Sequence, residues 1–391
     1  MLPIYAKLFA WIPKSNLESS SFLVDRSWRI CGISIRSAVT MGLNLRNESN
    51  SIAHISKEAR YRVWWSLYTL DTSVCAMTGR PLSSNIDFLT TPLPVPFDEE
   101  QFHDDTVVQL IADNETRQVF MGHLSSGNWE QSNAESIVKC KPSGNLTPNK
   151  KKQCEQLAFS AIETLSPNIS LYFLYFVELG LIMRESVDTL YAPGAARKSW
   201  RKVYATISAL NSKADAWFSK LPDAFRLTKS QGKCPFERQI SSLAFRYYST
   251  KIIITQPCLR QFVLQGRGAT PLGKSCELMT DQCVDVAIDM LDLLPGKVDL
   301  AWLYHISPWW CVLHYLMQST TVLLTEIFIR ALPGTSRYQK VQESINKANR
   351  WLCEMSTKDP CSQRAWTVCN DFCSLYAPEL DLQPGATSPK N

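Results

Sequence analysis

Thirteen cysteines are the most reactive side chains in this 391-residue chain, and their spacing decides what they could do. Two groups could gather thiols: Cys276 with Cys283, and Cys353, Cys361, Cys369 and Cys373. Zinc asks for four ligands converging tetrahedrally, usually from tight Cys-x-x-Cys knuckles. The second group is spaced by eight, eight and four positions, in runs that also carry Trp351 and Trp366. Packing is the plainer reading, and no metal is expected in this chain. Cys311 and His314 share a helical turn without a second ligand pair and are read the same way. Carboxylates offer another chemistry. The densest acidic run, Asp98, Glu99, Glu100, Asp104 and Asp105, lacks the helical Asp-Asp-x-x-Asp spacing of metal-diphosphate enzymes and reads as a solvated loop. There is no G-x-x-x-x-G-K-[ST] phosphate loop and no G-x-S-x-G nucleophile elbow. With only 15 glycines a Rossmann sheet is disfavoured too, and an enzyme is not expected.

Basic residues offer phosphate contact as a further chemistry. Arg197, Lys198, Arg201 and Lys202 form a basic turn, followed by Lys213, Lys220, Arg226, Lys229 and Lys233. A net charge of +5 is modest, and no groove-reading motif accompanies these residues. A solvated helix face accounts for them. Lys150, Lys151 and Lys152 resemble an import signal only weakly.

The elements that must position these residues are helices. With 45% hydrophobic residues, 16 Phe, 13 Tyr and 12 Trp, the chain can bury a large core. Asp25 can cap a helix from about Ser27 to Met41, which Gly42 stops. Ser56 can cap the next, with Glu58 in its first turn facing the positive end of the dipole. That helix carries Val63, Leu67, Leu70, Val74 and Met77 on one stripe, and Gly79, Arg80 and Pro81 end it. Further helices are predicted over 154–165, 169–191, 195–220, 236–265, 273–294, 300–330, 336–356 and 362–376, punctuated by prolines. The apolar run Ile169–Met183 is 15 residues long and contains Glu178. A spanning helix needs ~20 apolar residues, so a buried helix, with no membrane, is expected. Asn47, Asn114, Asn145 and Asn168 open N-x-[ST] triplets that read as chance, because no secretory signal precedes them and the cysteines read as reduced.

The expected architecture is all-α: a large multi-helix bundle around a central apolar helix, about 58–79, with one long surface loop. Residues 1–95 form an N-terminal helical part and 153–377 a C-terminal helical part of the same domain. Between them, 96–152 is expected as an acidic, then basic, region, partly helical and then a mobile surface loop, and 378–391 as a flexible tail.

One segment carries a family signature. Arg60–Pro81 reads RYRVWWSLYTLDTSVCAMTGRP, with a basic pair (Arg60, Arg62), a tryptophan pair (Trp64, Trp65), Asp71 closing an L-Y/F-x-L-D run, and a Gly79-Arg80-Pro81 end. This resembles the core motif of the fungus-specific transcription factor domain, the middle homology region of zinc-cluster regulators. Ile33–Leu43 matches the helix that precedes it, and Ile86-Asp87 with Pro92-Leu93-Pro94 fits the usual exit. Leu243–Leu259 resembles a later family helix, with Gln256-Pro257 where Arg-Pro is common. Cys283–Leu294 and Pro308–Glu326 fit more loosely.

The resemblance implies a nuclear domain that regulates transcription through intra- or intermolecular contacts or by sensing an effector. Its partners would be other regulatory proteins, a full-length family member or a second copy of the chain. Zinc is implied only for the family's N-terminal six-cysteine cluster, which has no counterpart here, so DNA would be read by an absent or separate module. The match starts inside the family domain. A fragment, a truncated gene model and a regulator acting without its own DNA module all fit, and a standalone repressor that pairs with full-length relatives is the alternative function. A buried Asp71 needs a cation or several donors, and Arg80, Arg60 or Arg62 could supply the cation. A folding clamp is the plainer role, since any buried charge must be paired; a ligand or signal pocket is the sharper one.

Overall fold

The computed structural model describes residues 20–49, 51–85, 88–124, 148–226, 235–265, 273–330 and 332–376. Regular structure among them is entirely helical. The α-helices are α1 (Ser20–Thr40), α2 (His54–Thr78), α3 (Asp105–Ala112), α4 (Asn114–Leu124), α5 (Pro148–Thr164), α6 (Ile169–Leu190) and α7 (Trp200–Ser219). They continue as α8 (Glu237–Gln265), α9 (Lys274–Asp292), α10 (Leu300–Ile306), α11 (Trp309–Ile329), α12 (Ser336–Ser356) and α13 (Pro360–Tyr376). Two compact units result: Leu23–Glu185 with Ser212–Arg226, and Ser186–Asn211 with the described residues from 235 onward.

Glycine stops both signature helices as expected. Gly42 and Gly79 adopt φ of 65° and 64°, a left-handed turn that costs glycine little. The Arg80 amide then reaches back to the Cys75 carbonyl at 3.2 Å. Helix starts were less legible. α1 already begins at Ser20, and α2 begins at His54 behind Ala53, so Ser56 lies inside the first turn and caps nothing. The helix expected over 300–330 is two helices, because Pro308 holds Ser307 extended (φ −151°, ψ 148°).

The 96–152 region is helical at both ends of its described residues. Residues 96–124 supply the expected helical part: they carry a 3₁₀ turn and helices α3 and α4, and α5 takes up 148–152. Phe97, Phe102, Val107, Leu110, Phe120 and Met121 are buried in the first unit's core beside Trp64, Trp65 and Tyr68. The acidic residues there obscured helical spacing, yet several of them act as caps. Asp104 accepts the Thr106 amide at 3.0 Å, and Asp113 the Thr116 amide at 3.0 Å. Asp98 accepts the Ser170 hydroxyl at 2.6 Å, fixing the start of α6. Glu130, Glu135, Lys139 and Lys141 of the expected loop, the Ile86-Asp87 exit and the tail from 378 lie outside the described residues.

In the second unit α8 packs on α9, α9 on α11, and α12 on α13. α11 is 21 residues long and apolar enough to cross a membrane by length and composition, but 78% of its apolar window is buried within the protein. Such burial marks a core helix. Arg337 joins three helices here, meeting Glu326 at 3.0 Å, Asp285 at 3.3 Å and Asp281 at 3.4 Å.

Candidate regulatory site on the signature helix

As its sequence suggests, α2 buries the face of Trp64, Tyr68, Asp71 and Cys75, but only part of the adjoining aliphatic stripe. Val63 and Leu70 are 50% and 45% exposed, while Tyr61, Trp64, Trp65, Tyr68, Asp71 and Cys75 are all buried. Aromatic side chains carry more area per position than aliphatic ones, so the aromatic face won the core; of the stripe, Val63 and Leu70 are exposed, Leu67 packs against the core and Val74 is buried.

Asp71 is fully buried at the middle of this face, and the expected arginines are not what holds it. Its Oδ2 accepts the amides of Ser83 (3.0 Å) and Ser84 (3.1 Å) and the Ser84 hydroxyl (3.1 Å). Its Oδ1 faces the thiols of Cys75 (3.6 Å) and, from α1, Cys31 (3.8 Å). Arg184 of α6 donates to the Ser84 hydroxyl at 2.9 Å and lies 5.7 Å from the Tyr68 ring centre. One carboxylate thus ties α2 to α1, to the turn behind Pro81, and through Ser84 to α6. Burial first, and the Asp71 charge second, push the Cys31 and Cys75 thiols up to about 12, so both stay protonated and unreactive at neutral pH.

The three signature arginines each have other work. Arg80 stacks 5.1 Å from the Trp28 ring, because the left-handed turn at Gly79 swings it toward α1. Arg60 donates to the Met41 carbonyl at 2.6 Å, just beyond the end of α1. Arg62 donates to the carbonyls of Val95 (3.2 Å) and Phe97.

A second buried charge on α2 escaped the sequence reading. Glu58, expected in the first turn to meet the positive end of the helix dipole, is fully buried. It pairs with Arg117 of α4 at 2.9 Å and accepts the Val95 amide at 2.7 Å, with Arg62 at 3.8 Å. Arg117 also donates to the Leu93 carbonyl and lies over the Tyr61 ring. The signal that could have found it was Arg117 itself, a lone cation at helical spacing from Phe120 and Met121.

The tryptophan pair divides its roles. Trp65 Nε1 donates to the Pro92 carbonyl at 2.7 Å, whereas Trp64 Nε1 has no partner among the described residues. Trp65→Phe strands a buried carbonyl and Trp64→Phe removes an unsatisfied donor. The first should therefore cost about 1–3 kcal/mol more than the second in urea denaturation, and equal losses would contradict the assignment.

Other candidate residues are dispersed. Cys369 packs against the Met317 sulfur at 3.6 Å, and burial pushes the Cys373 thiol up to about 11. Cys276 and Cys283 are buried on α9, and Cys276 hydrogen-bonds Cys258. Burial pushes His314 down to about 4, leaving it neutral. Among the described residues the one group with metal-like convergence is Asp113, Glu115 and Cys154, and there the Lys150 ammonium already lies 2.6 Å from Glu115. Arg197, Lys198, Arg201 and Lys202 are exposed. Lys213 pairs with Glu185 at 2.7 Å and Arg226 with Asp223 at 3.0 Å, while Lys229 and Lys233 lie outside the described residues.

The described residues are helical throughout their regular structure, and the signature helix among them is fastened by two buried carboxylates, Asp71 and Glu58. Residues 19–219 match the fungal specific transcription factor domain, and the chain belongs to that family. It is 29% identical to the transcription regulator galc of Aspergillus niger over 92% of this chain and 45% of that protein. It is 22% identical to an ABC-transporter-regulating transcription factor of Aspergillus fumigatus, over 94% of this chain and 35% of that protein. The chain thus spans less than half the length of these curated relatives. No solved structure matches it.

Proposed function

We propose that this chain is the regulatory domain of a fungal transcription factor, working in the nucleus through protein contacts or effector sensing and without catalysis. The match over residues 19–219 carries the reading, because it encloses α1, α2 and the Asp71 and Glu58 clamps. The two relatives above are both named as regulators of transcription, which supports the same role here. DNA would be read by a separate module. Fusing the chain to an unrelated DNA-binding domain and measuring a reporter tests the proposal. The expected result is a reporter level different from that of the DNA-binding domain alone; an unchanged level under every inducer tried would remove the regulatory reading.

A further inference from the structure

The thiols of this chain divide into two kinds. Most are sealed into the core: burial pushes Cys31, Cys75, Cys283 and Cys311 up to about 12, and each keeps its proton at neutral pH. Cys276 differs in its neighbours. The Cys258 thiol of α8 donates a hydrogen bond to the Cys276 sulfur of α9, so the two side chains touch across the helix pair. Arg330 is anchored at the same junction, 5.1 Å from the Phe262 ring of α8 and 2.6 Å from Asp281 of α9. The Cys258 hydrogen bond first, and the Arg330 charge further down, draw Cys276 below the ordinary thiol value against burial and Glu277.

Position adds to this. Cys276 sits in the first turn of α9, where the positive end of the helix dipole favours a thiolate. Gly273 precedes the helix and offers no side-chain cap, so backbone bonds alone close the turn, among them the Cys276 amide to the Gly273 carbonyl at 2.8 Å. Lys274 and Ser275 beside it are exposed, and Cys276 itself is 4% exposed. Fraying of a single uncapped turn therefore admits a small oxidant, which the buried thiols of the helix middles do not meet.

We propose that Cys258 and Cys276 form an oxidation site, closing to a disulfide between α8 and α9 when a peroxide reaches them. The Cys276 thiolate attacks one peroxide oxygen, the O–O bond breaks, and the sulfur becomes a sulfenic acid while the second oxygen takes up a proton and leaves as water. The Cys258 sulfur then displaces the sulfenic hydroxyl, which departs with the Cys258 proton as a second water. Two thiols lose two electrons and one peroxide is reduced to two waters. The bond fastens the uncapped start of α9 to α8, and a dithiol reductant reopens it while being oxidised itself. The oxidation is read on the chain itself and stands apart from the transcriptional reading.

The test is peroxide treatment of the whole folded chain, followed by alkylation in denaturant and peptide mapping. Cys258 and Cys276 should be recovered joined to each other, their thiols lost at least about tenfold faster than those of Cys31, Cys75 and Cys283. Dithiothreitol should reverse the bond. Amides in the first turn of α9 should exchange with deuterium at least about tenfold more slowly in the oxidised chain than in the reduced one. Cys258→Ser removes the resolving thiol and should trap Cys276 as a sulfenic acid that dimedone labels. Cys283→Ser, on the same helix, should leave the disulfide intact. The mapping is done on the wild type, so it decides the matter even where a variant folds poorly. A Cys258–Cys276 pair that stays reduced, or a Cys276 joined to Cys283 or to another chain, overturns the proposal.

Discussion

Replacing Arg117 by methionine should destabilise the first unit by about 3–5 kcal/mol, a large part of the 5–15 kcal/mol that holds a typical domain folded. The reason is what remains behind. Glu58 has no exposed surface, and Arg117, at 2.9 Å, is its closest cation. Methionine fills the space of the arginine stem but leaves the carboxylate with the Val95 amide and Arg62 alone. Arg62 stands 3.8 Å away and is committed to two carbonyls, so it should place the loss nearer the lower bound than remove it. Glu58→Gln combined with Arg117→Met should recover much of the loss, because glutamine keeps an acceptor for Val95 without a buried charge. Urea denaturation of the two variants against wild type decides it. A single Arg117→Met variant within about 1 kcal/mol of wild type would mean that the pair is solvated in solution and is not a clamp.

That pair also marks where the sequence stopped being readable. Helix type and most boundaries in the second unit were legible because apolar residues recur at helical spacing and prolines separate the runs; 336–356 matches α12 at both ends. The first unit was harder. The sequence set Trp64, Tyr68, Asp71 and Cys75 on a face adjoining the aliphatic stripe and expected burial around most of α2; that face is buried, as is Val74, but Val63 and Leu70 are exposed. Residues 98–113 looked like a solvated loop because carboxylates dominate their composition, although Asp98, Asp104 and Asp113 are bonded to amides and hydroxyls. For Asp71, its position on the helix that carries the signature was legible. Its partners were not, since backbone amides of Ser83 and Ser84 leave no mark in side-chain chemistry, and Arg184 lies more than a hundred residues away in an apolar run.

Asp71→Ala should cost about 3–5 kcal/mol, and the comparison with Arg80 makes the experiment decisive. Alanine removes the acceptor for two amides and a hydroxyl, all within 3.1 Å, and each stranded buried donor costs about 1–3 kcal/mol. Cys31 loses its acceptor as well, Cys75 keeps only the Pro81 carbonyl at 3.3 Å, and Ser84 loses the group that orients it toward Arg184. Asp71→Asn should be milder. Its carbonyl oxygen can still face the serines while its amide group turns to the thiol sulfurs, which accept weakly. Arg80→Ala tests the pairing that the sequence suggested. If Arg80 neutralised Asp71, its loss would rival that of Asp71. Stacked on Trp28 instead, it should cost about 0.5–1 kcal/mol, the worth of an exposed cation–π contact. Thermal denaturation of the three variants should therefore rank Asp71→Ala well below Asp71→Asn, with Arg80→Ala closest to wild type. If Arg80→Ala were as damaging as Asp71→Ala, the carboxylate would depend on the arginine, and the serine turn would be secondary.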